Sequence, residues 1–275
     1  MDKEMQYLLE QSRPLVMGIL NVTPDSFSDG GCYLNEDSVR DRIQTMINDG
    51  ADIIDIGGES TRPGAESVPL QVELDRVMPV VELTRSLTGL PISVDTYKPE
   101  VMRHALLHGV EIINDINALQ APGALELVAS SNAYVCLMHK QGQPKNMQLS
   151  PTYSNTVKEV LDFLLSRVAI CEKMGINRHR IILDPGFGFG KTLQHNIDLF
   201  HALPSLSSLG FPLLIGVSRK SMLGDVLGNL SVEKRLVPSV VSAVLAVQQG
   251  VKILRVHDVK ETKQALKLLD TLVVK

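Results

Sequence analysis

Short apolar runs separated by longer mixed stretches recur from one end of the chain to the other. They fall at residues 15–20, 53–56, 92–94, 112–113, 134–138, 181–183, 213–217 and 253–256, eight runs in all. Runs without an alternating polar face are what parallel strands look like when helices cover them. The stretches between are long enough for crossover helices, and two show helical spacing at i, i+3, i+4, i+7: Leu74, Val77, Met78 and Val81, then Leu161, Leu164, Leu165 and Val168. Pro79 lies inside the first of these helices and predicts a kink there. Gly50, Gly89, Gly109, Gly175, Gly210 and Gly250 each precede a strand, where a helix would end on a left-handed residue. The pattern is a strand–helix unit repeated eight times.

Polar chemistry gathers at the C-terminal end of each strand, and the strand beginnings show nothing comparable. At or just past the ends of the eight runs stand Asn21; residues 57–62; Asp95; Asn114 with Asp115; His139; Asp184; Ser218, Arg219 and Lys220; and Arg255 with His257. In a closed βα barrel all eight strand C-termini open on one face, where such enzymes place their catalytic groups. An open doubly wound sheet is the alternative, but it would not use every strand end. The fold class expected is therefore α/β, an eight-fold βα (TIM) barrel with a closed parallel sheet and outer helices. A length of 275 residues, 44% of them hydrophobic, suits one such domain spanning 1–275.

Charge and cysteine content narrow the partners. The formal net charge is −4 with no basic run, which gives no electrostatic footprint for nucleic acid or an anionic membrane. No apolar stretch reaches the roughly 18 residues of a membrane span, and residues 1–13 lack a signal-type apolar core, so a cytoplasmic protein is expected. Cys32, Cys136 and Cys171 are too far apart for a metal knuckle and odd in number, and read as reduced thiols.

In this acidic chain Arg62, Arg219, Lys220, Arg255 and His257 gather positive charge at one face, suited to a phosphate or pyrophosphate. The alternative is that they pair with Glu59, Asp95, Asp184 and Asp258 as ion pairs of the barrel mouth. Asp95, Asn114 and Asp184 could take the donor groups of a flat heterocycle. Three other motifs carry less. The segment Gly186-Phe-Gly-Phe-Gly-Lys-Thr192 has Pro185 where a phosphate loop needs glycine, and Lys191 where a dinucleotide fingerprint needs its third glycine, so it reads as a cover for the site. His104 and His108 are four apart but lack a zincin glutamate, and Cys171 reads as packing.

These residues also carry a resemblance. Met17-Gly-Ile-Leu-Asn-Val-Thr-Pro-Asp-Ser-Phe-Ser-Asp-Gly-Gly31 and Asp55-Ile-Gly-Gly-Glu-Ser-Thr-Arg-Pro-Gly64 resemble the two signatures of the dihydropteroate synthase family. Ser93-Val-Asp-Thr96, Asn114-Asp115, residues 184–191, Ser218-Arg-Lys-Ser221 and Arg255-Val-His-Asp258 are similar to the same family in the same order. The resemblance implies a transferase of folate biosynthesis. It joins 6-hydroxymethyl-7,8-dihydropterin diphosphate to 4-aminobenzoate, giving 7,8-dihydropteroate and pyrophosphate by a dissociative route. It further implies that Asp95, Asn114, Asp184 and Lys220 hold the pterin, and that Asn21 is a ligand of magnesium (Mg2+). Arg62, Arg255 and His257 would anchor the diphosphate, and Thr61, Pro63, Phe189 and Ser218 would form the aminobenzoate pocket. The loops at 22–31 and 59–64 would close over the intermediate, and the enzyme would be a homodimer and a sulfonamide target.

Two positions depart from the family pattern. Pro238 stands where glycine is usual and Lys140 where methionine is common; Pro238 fits the start of a helix running toward Gln249. Two other functions stay open: a pterin-binding methyltransferase serving a corrinoid protein, and a non-catalytic pterin-binding subunit. The first would need neither the Ser-Arg-Lys turn nor diphosphate anchors, and the second should show damage among the loop residues. Asn21, Thr61, Arg62 and Lys220 are all in place.

Overall fold

In the computed structural model, which describes residues 2–23, 35–60, 62, 64–143 and 145–273, the eight apolar runs become eight parallel strands. They are β1 (Leu15–Asn21), β2 (Ile53–Gly57), β3 (Ile92–Asp95), β4 (Ile112–Asp115), β5 (Tyr134–Met138), β6 (Ile181–Asp184), β7 (Leu214–Ile215) and β8 (Ile253–Val256). The sheet order is β6-β5-β4-β3-β2-β1-β8-β7. A single parallel bridge, Leu183 with Leu213, brings β6 to β7 and all but closes the barrel. The run expected at 213–217 yields the shortest strand, because Pro212 has no N–H for the ladder and Leu213 joins β6 by that bridge only.

Side-chain alternation divides the apolar residues into two cores. Leu15, Met17, Ile53, Ile112, Tyr134, Cys136, Ile182, Leu214 and Ile253 point inward and fill the barrel toward the strand N-termini. Val16, Ile54, Ile56, Val94, Ile113, Val135, Leu137, Leu183, Ile215, Leu254 and Val256 point outward against the helices. Each such side chain taken from water contributes roughly 1.5–3 kcal/mol. Helix α1 (Asp2–Glu10) lies across the N-terminal end and buries Met5 completely in the inner core. With that end plugged by apolar groups, the inward positions at the opposite end are left to polar ones.

The outer helices follow the periodicity. They are α2 (Glu36–Asn48), α3 (Leu70–Leu87), α4 (Pro99–Leu107), α5 (Ala124–Ala129), α6 (Thr156–Lys173), α7 (Leu193–His201), α8 (Leu203–Ser207), α9 (Ser221–Val226), α10 (Leu236–Gln248) and α11 (Val259–Leu272). Of the six glycines expected to end helices, five have positive φ; Gly89 does not, because Thr88 already leaves α3 in extended conformation. Helix α3 continues through Pro79 to Leu87, and Pro238 sits in the first turn of α10, where its missing N–H has no intrahelical acceptor to serve. No helix among the described residues is long and apolar enough to cross a membrane.

Candidate active site

At the strand C-termini the inward positions form a buried polar layer. Asp55 of β2, Asp95 of β3, Asn114 of β4 and Asp184 of β6 are each at most 7% exposed, and Arg255 of β8 reaches across them. Arg255 Nε donates to Asp55 Oδ2 at 2.6 Å and Nη2 to Asp95 Oδ2 at 2.7 Å. Asn114 Nδ2 lies 3.4 Å from Asp55 Oδ2, a long contact that still orients the amide. Parallel pairing sets Gly57 beside Asp95 and Asp95 beside Asn114, so three neighbouring strands converge on one spot. Asp55 is the residue that reading strand ends misses. It stands inside the run 53–56, and a carboxylate among three isoleucines was the available signal.

Burial works against the charges of Asp95, Asp184, Lys220 and Arg255, and the partners decide how far. It pushes the Asp95 carboxyl up to about 7 despite the pull of Arg255, with Asp55 adding to the rise. Asp184 is also raised by burial, opposed by Lys220 and by the Gly186 N–H that its Oδ1 accepts at 2.7 Å. Lys220 is pushed down to about 8 by burial, with Asp184 pulling the other way. Its ammonium donates to the Phe187 carbonyl and sits 4.5 Å from the Phe189 ring centroid. A Cβ at Gly188 would come within 3.3 Å of the Lys220 stem, so glycine there lets the lysine through. Asp95 Oδ1 and Ser93 Oγ are buried with no hydrogen-bond partner among the described residues.

Around this layer the other expected residues take different places. Asn21 ends β1, and a Cβ on Gly57 would lie 3.7 Å from its Oδ1 and 3.6 Å from Asp95 Cβ, so the two flank that glycine. Ser218 Oγ lies 3.1 Å from His257 Nδ1. Burial, then Arg255 and Arg219, drive His257 down to about 4, so at neutral pH it is a hydrogen-bonding ring and not the positive charge expected of it. Arg62 is exposed, and its charge also reaches His257. Arg219 also acts on His257, but its own charge is paired: with φ +58 it forks onto Asp258 at 2.5 and 2.9 Å, one of the ion pairs foreseen as the alternative. Thr61, Pro63 and most of the 22–31 loop lie outside the described residues.

The glycine segment after β6 is a cover held from beneath. Gly186, Gly188 and Gly190 all have positive φ, and a Cβ on Gly186 or Gly190 would fall 1.9 or 2.2 Å from the carbonyls of His139 or Gln141. Lys191 is buried and donates to the carbonyls of Gly186 at 2.9 Å and Phe189 at 3.1 Å, with its Nζ 3.0 Å from His139 Nδ1. That use of the lysine is internal and is not a phosphate site. His104 and His108 pair with Glu100 and Glu82 on the surface, and Cys171 is buried in the outer core. Asp115 accepts from the Asn117 and Leu119 N–H groups and shapes a turn.

The family model described as pterin binding enzyme matches residues 17–257. Dihydropteroate synthase of Escherichia coli strain K12 is 50% identical over 262 residues, 95% of this chain and 93% of that one. The chain belongs to the dihydropteroate synthase family. A Yersinia pestis member in a sulfonamide drug complex superposes with a TM-score of 0.90 at 51% identity, over 95% of this chain and 94% of that one. A Xanthomonas albilineans member with 4-aminobenzoic acid gives 0.90 at 47%, over 97% and 95%. These similarities favour a synthase over a corrinoid-linked methyltransferase.

Proposed function

We propose that the barrel mouth condenses 6-hydroxymethyl-7,8-dihydropterin diphosphate with 4-aminobenzoate, releasing pyrophosphate and forming 7,8-dihydropteroate in the cytoplasm. The observation that carries this reading is Arg255 held between two buried carboxylates beside Asn114, Asp184 and Lys220. A flat ring rich in N–H groups needs such acceptors. Asp184 Oδ1 is engaged by Gly186, which leaves Oδ2 for the aminopyrimidine edge. Asn114, oriented by Asp55, and Lys220 offer the remaining polar contacts. Arg255 commits Nε and Nη2 to the carboxylates and has Nη1 left for the diphosphate.

The bond that breaks joins the exocyclic carbon to the diphosphate oxygen, and both its electrons leave with that oxygen. Positive charge is left on the pterin, and ionised Asp95 stabilises it. Arg62 and Arg255 take up the charge on the leaving group, and His257 offers it a hydrogen bond. The arylamine nitrogen then forms the C–N bond and loses a proton. No protein nucleophile is needed. Phe189, Ser218, Thr61 and Pro63 form the aminobenzoate pocket, which a sulfonamide would contest. The single domain 1–275 supplies all of these groups.

Among the described residues no group of three or more His, Cys, Asp or Glu side chains could hold a metal. A lone neutral oxygen, Asn21 Oδ1 at the rim of the mouth, fits a magnesium ion that arrives with the diphosphate and keeps most of its water. Bound that way, magnesium would neutralise charge on the leaving group. Asn21→Ala is expected to lower turnover at least about tenfold with an unchanged melting temperature and a higher magnesium requirement; a wild-type rate at limiting magnesium would remove Asn21 from this role.

The reaction is tested by mixing the purified chain with both substrates and magnesium. Dihydropteroate and pyrophosphate must appear in equal amounts, and consumption of the diphosphate without dihydropteroate would refute the reading. A homodimer is also proposed. On α10 Val237, Val241 and Leu245 are exposed at i, i+4, i+8, an apolar stripe suited to a second copy. Val241→Asp should sediment as a monomer where the wild type sediments as a dimer; equal sedimentation of the two would remove this stripe from the interface.

A further inference from the structure

The segment that carries Arg62 is tied at both ends to one lysine outside the site. Lys98 Nζ donates to Glu59 Oε2 at 2.6 Å, to Glu73 Oε2 at 2.6 Å and to the Val68 carbonyl at 2.7 Å. Glu59 begins the segment and Val68 ends it, and the Val68 N–H donates to Glu59 Oε2 at 3.0 Å. The other carboxylate oxygens are satisfied as well: Tyr97 Oη donates to Glu59 Oε1 at 2.8 Å and Thr96 Oγ1 to Glu73 Oε1 at 2.6 Å. The base has no slack. Arg76 holds the Gly58 carbonyl at 2.9 Å, and a Cβ on Gly58 would come within 2.6 Å of Val77.

Stability alone does not call for an ionic cluster in this place. The Glu59, Glu73 and Lys98 side chains are 5%, 1% and 16% exposed, and buried ion pairs are commonly matched in stability by apolar residues of the same volume. What an apolar filling would lose is direction. Three bonds from one ammonium fix the start of the segment, its end and the flank of α3 relative to one another. We propose that Lys98, with Glu73 and Glu59, is a positioning device for Arg62, setting the guanidinium over the diphosphate. This rests on the function proposed above for the mouth; Lys98 itself touches no substrate. Preorganised charge acts only where it is placed, and displacement of about 1 Å is enough to weaken it greatly.

The test separates positioning from mere stability. Lys98→Met strands two buried carboxylates, so Lys98→Met/Glu73→Gln, which also removes one of those charges, is measured beside it. Calorimetry is expected to show dihydropterin diphosphate binding about tenfold more weakly to the double variant, while 6-hydroxymethyl-dihydropterin without the diphosphate binds as to wild type. In an Arg62→Ala background the same change should cost nothing further. Hydrogen exchange over residues 64–68 should quicken and stay unchanged over the strands. Equal weakening of both ligands, or an undiminished loss in the Arg62→Ala background, would overturn the proposal. A wild-type chain that makes no dihydropteroate would sink the reading of the mouth instead, and unaltered exchange over 64–68 would then still count against Lys98.

Discussion

Asp95→Asn is expected to melt at a higher temperature than the wild-type chain at pH 8 while losing roughly a hundred- to a thousandfold in turnover. The two effects share one cause. In the unfolded chain this carboxyl titrates near 3.8, and in the fold burial raises it to about 7. Between those values the folded state keeps a proton that the unfolded state releases. Stability therefore falls as pH rises from about 4 to 7, and above 7 the whole penalty is present. An amide of the same shape carries no such penalty. Arg255 keeps its 2.6 Å bond to Asp55, so the guanidinium is not orphaned. The gain should be absent near pH 4, grow through neutrality and level off by pH 8, at a few kcal/mol. Turnover falls because the anion removed is the one proposed to face the pterin cation. Thermal melts at pH 5 and pH 8 decide it: an Asp95→Asn chain less stable than wild type at pH 8 would show that the carboxylate supports the fold.

That conflict between stability and chemistry also explains what the sequence discloses. Strand positions were legible because covered parallel strands must be apolar on both faces. Asp95, Asn114 and Asp184 were legible because they are polar groups at successive strand ends, and Arg255, inside its run as Asp55 is, was legible through His257 just beyond it. Asp55 was lost for the converse reason: one carboxylate within Ile53-Ile-Asp-Ile56 does not disturb an apolar run, and only the strand-to-strand register shows that it shares a layer with Arg255. Arg219 and Lys220 are neighbours with the same charge, yet the positive φ at Arg219 turns them apart, one to Asp258 and one into the pocket. His257 looks cationic by type and is neutral by burial. The plug formed by α1 was not foreseen either: its nine residues bury Met5 completely and pack Leu8 and Leu9 against the inner core.

Arg255→Ala should be the most damaging single change to both fold and activity. Its guanidinium lies between Asp55, fully buried, and Asp95, 7% exposed. Deleting it leaves two carboxylates in a layer with little water, and breaking a buried pair in this way typically costs about 3–5 kcal/mol. Turnover should fall by about a thousandfold or more, since the same side chain is proposed to hold the leaving diphosphate. A chain that merely lost a substrate contact would keep its stability, so denaturation distinguishes the two. The expected urea midpoint drops sharply at pH 8 and much less at pH 5, where Asp95, raised by burial, can take up a proton. Adding Asp95→Asn to Arg255→Ala should recover part of the lost stability and none of the activity, because one unpaired anion is gone while the diphosphate anchor is still missing. If Arg255→Ala instead unfolds at the wild-type urea concentration at both pH values, the carboxylates do not need the arginine, and its place between them serves substrate alone.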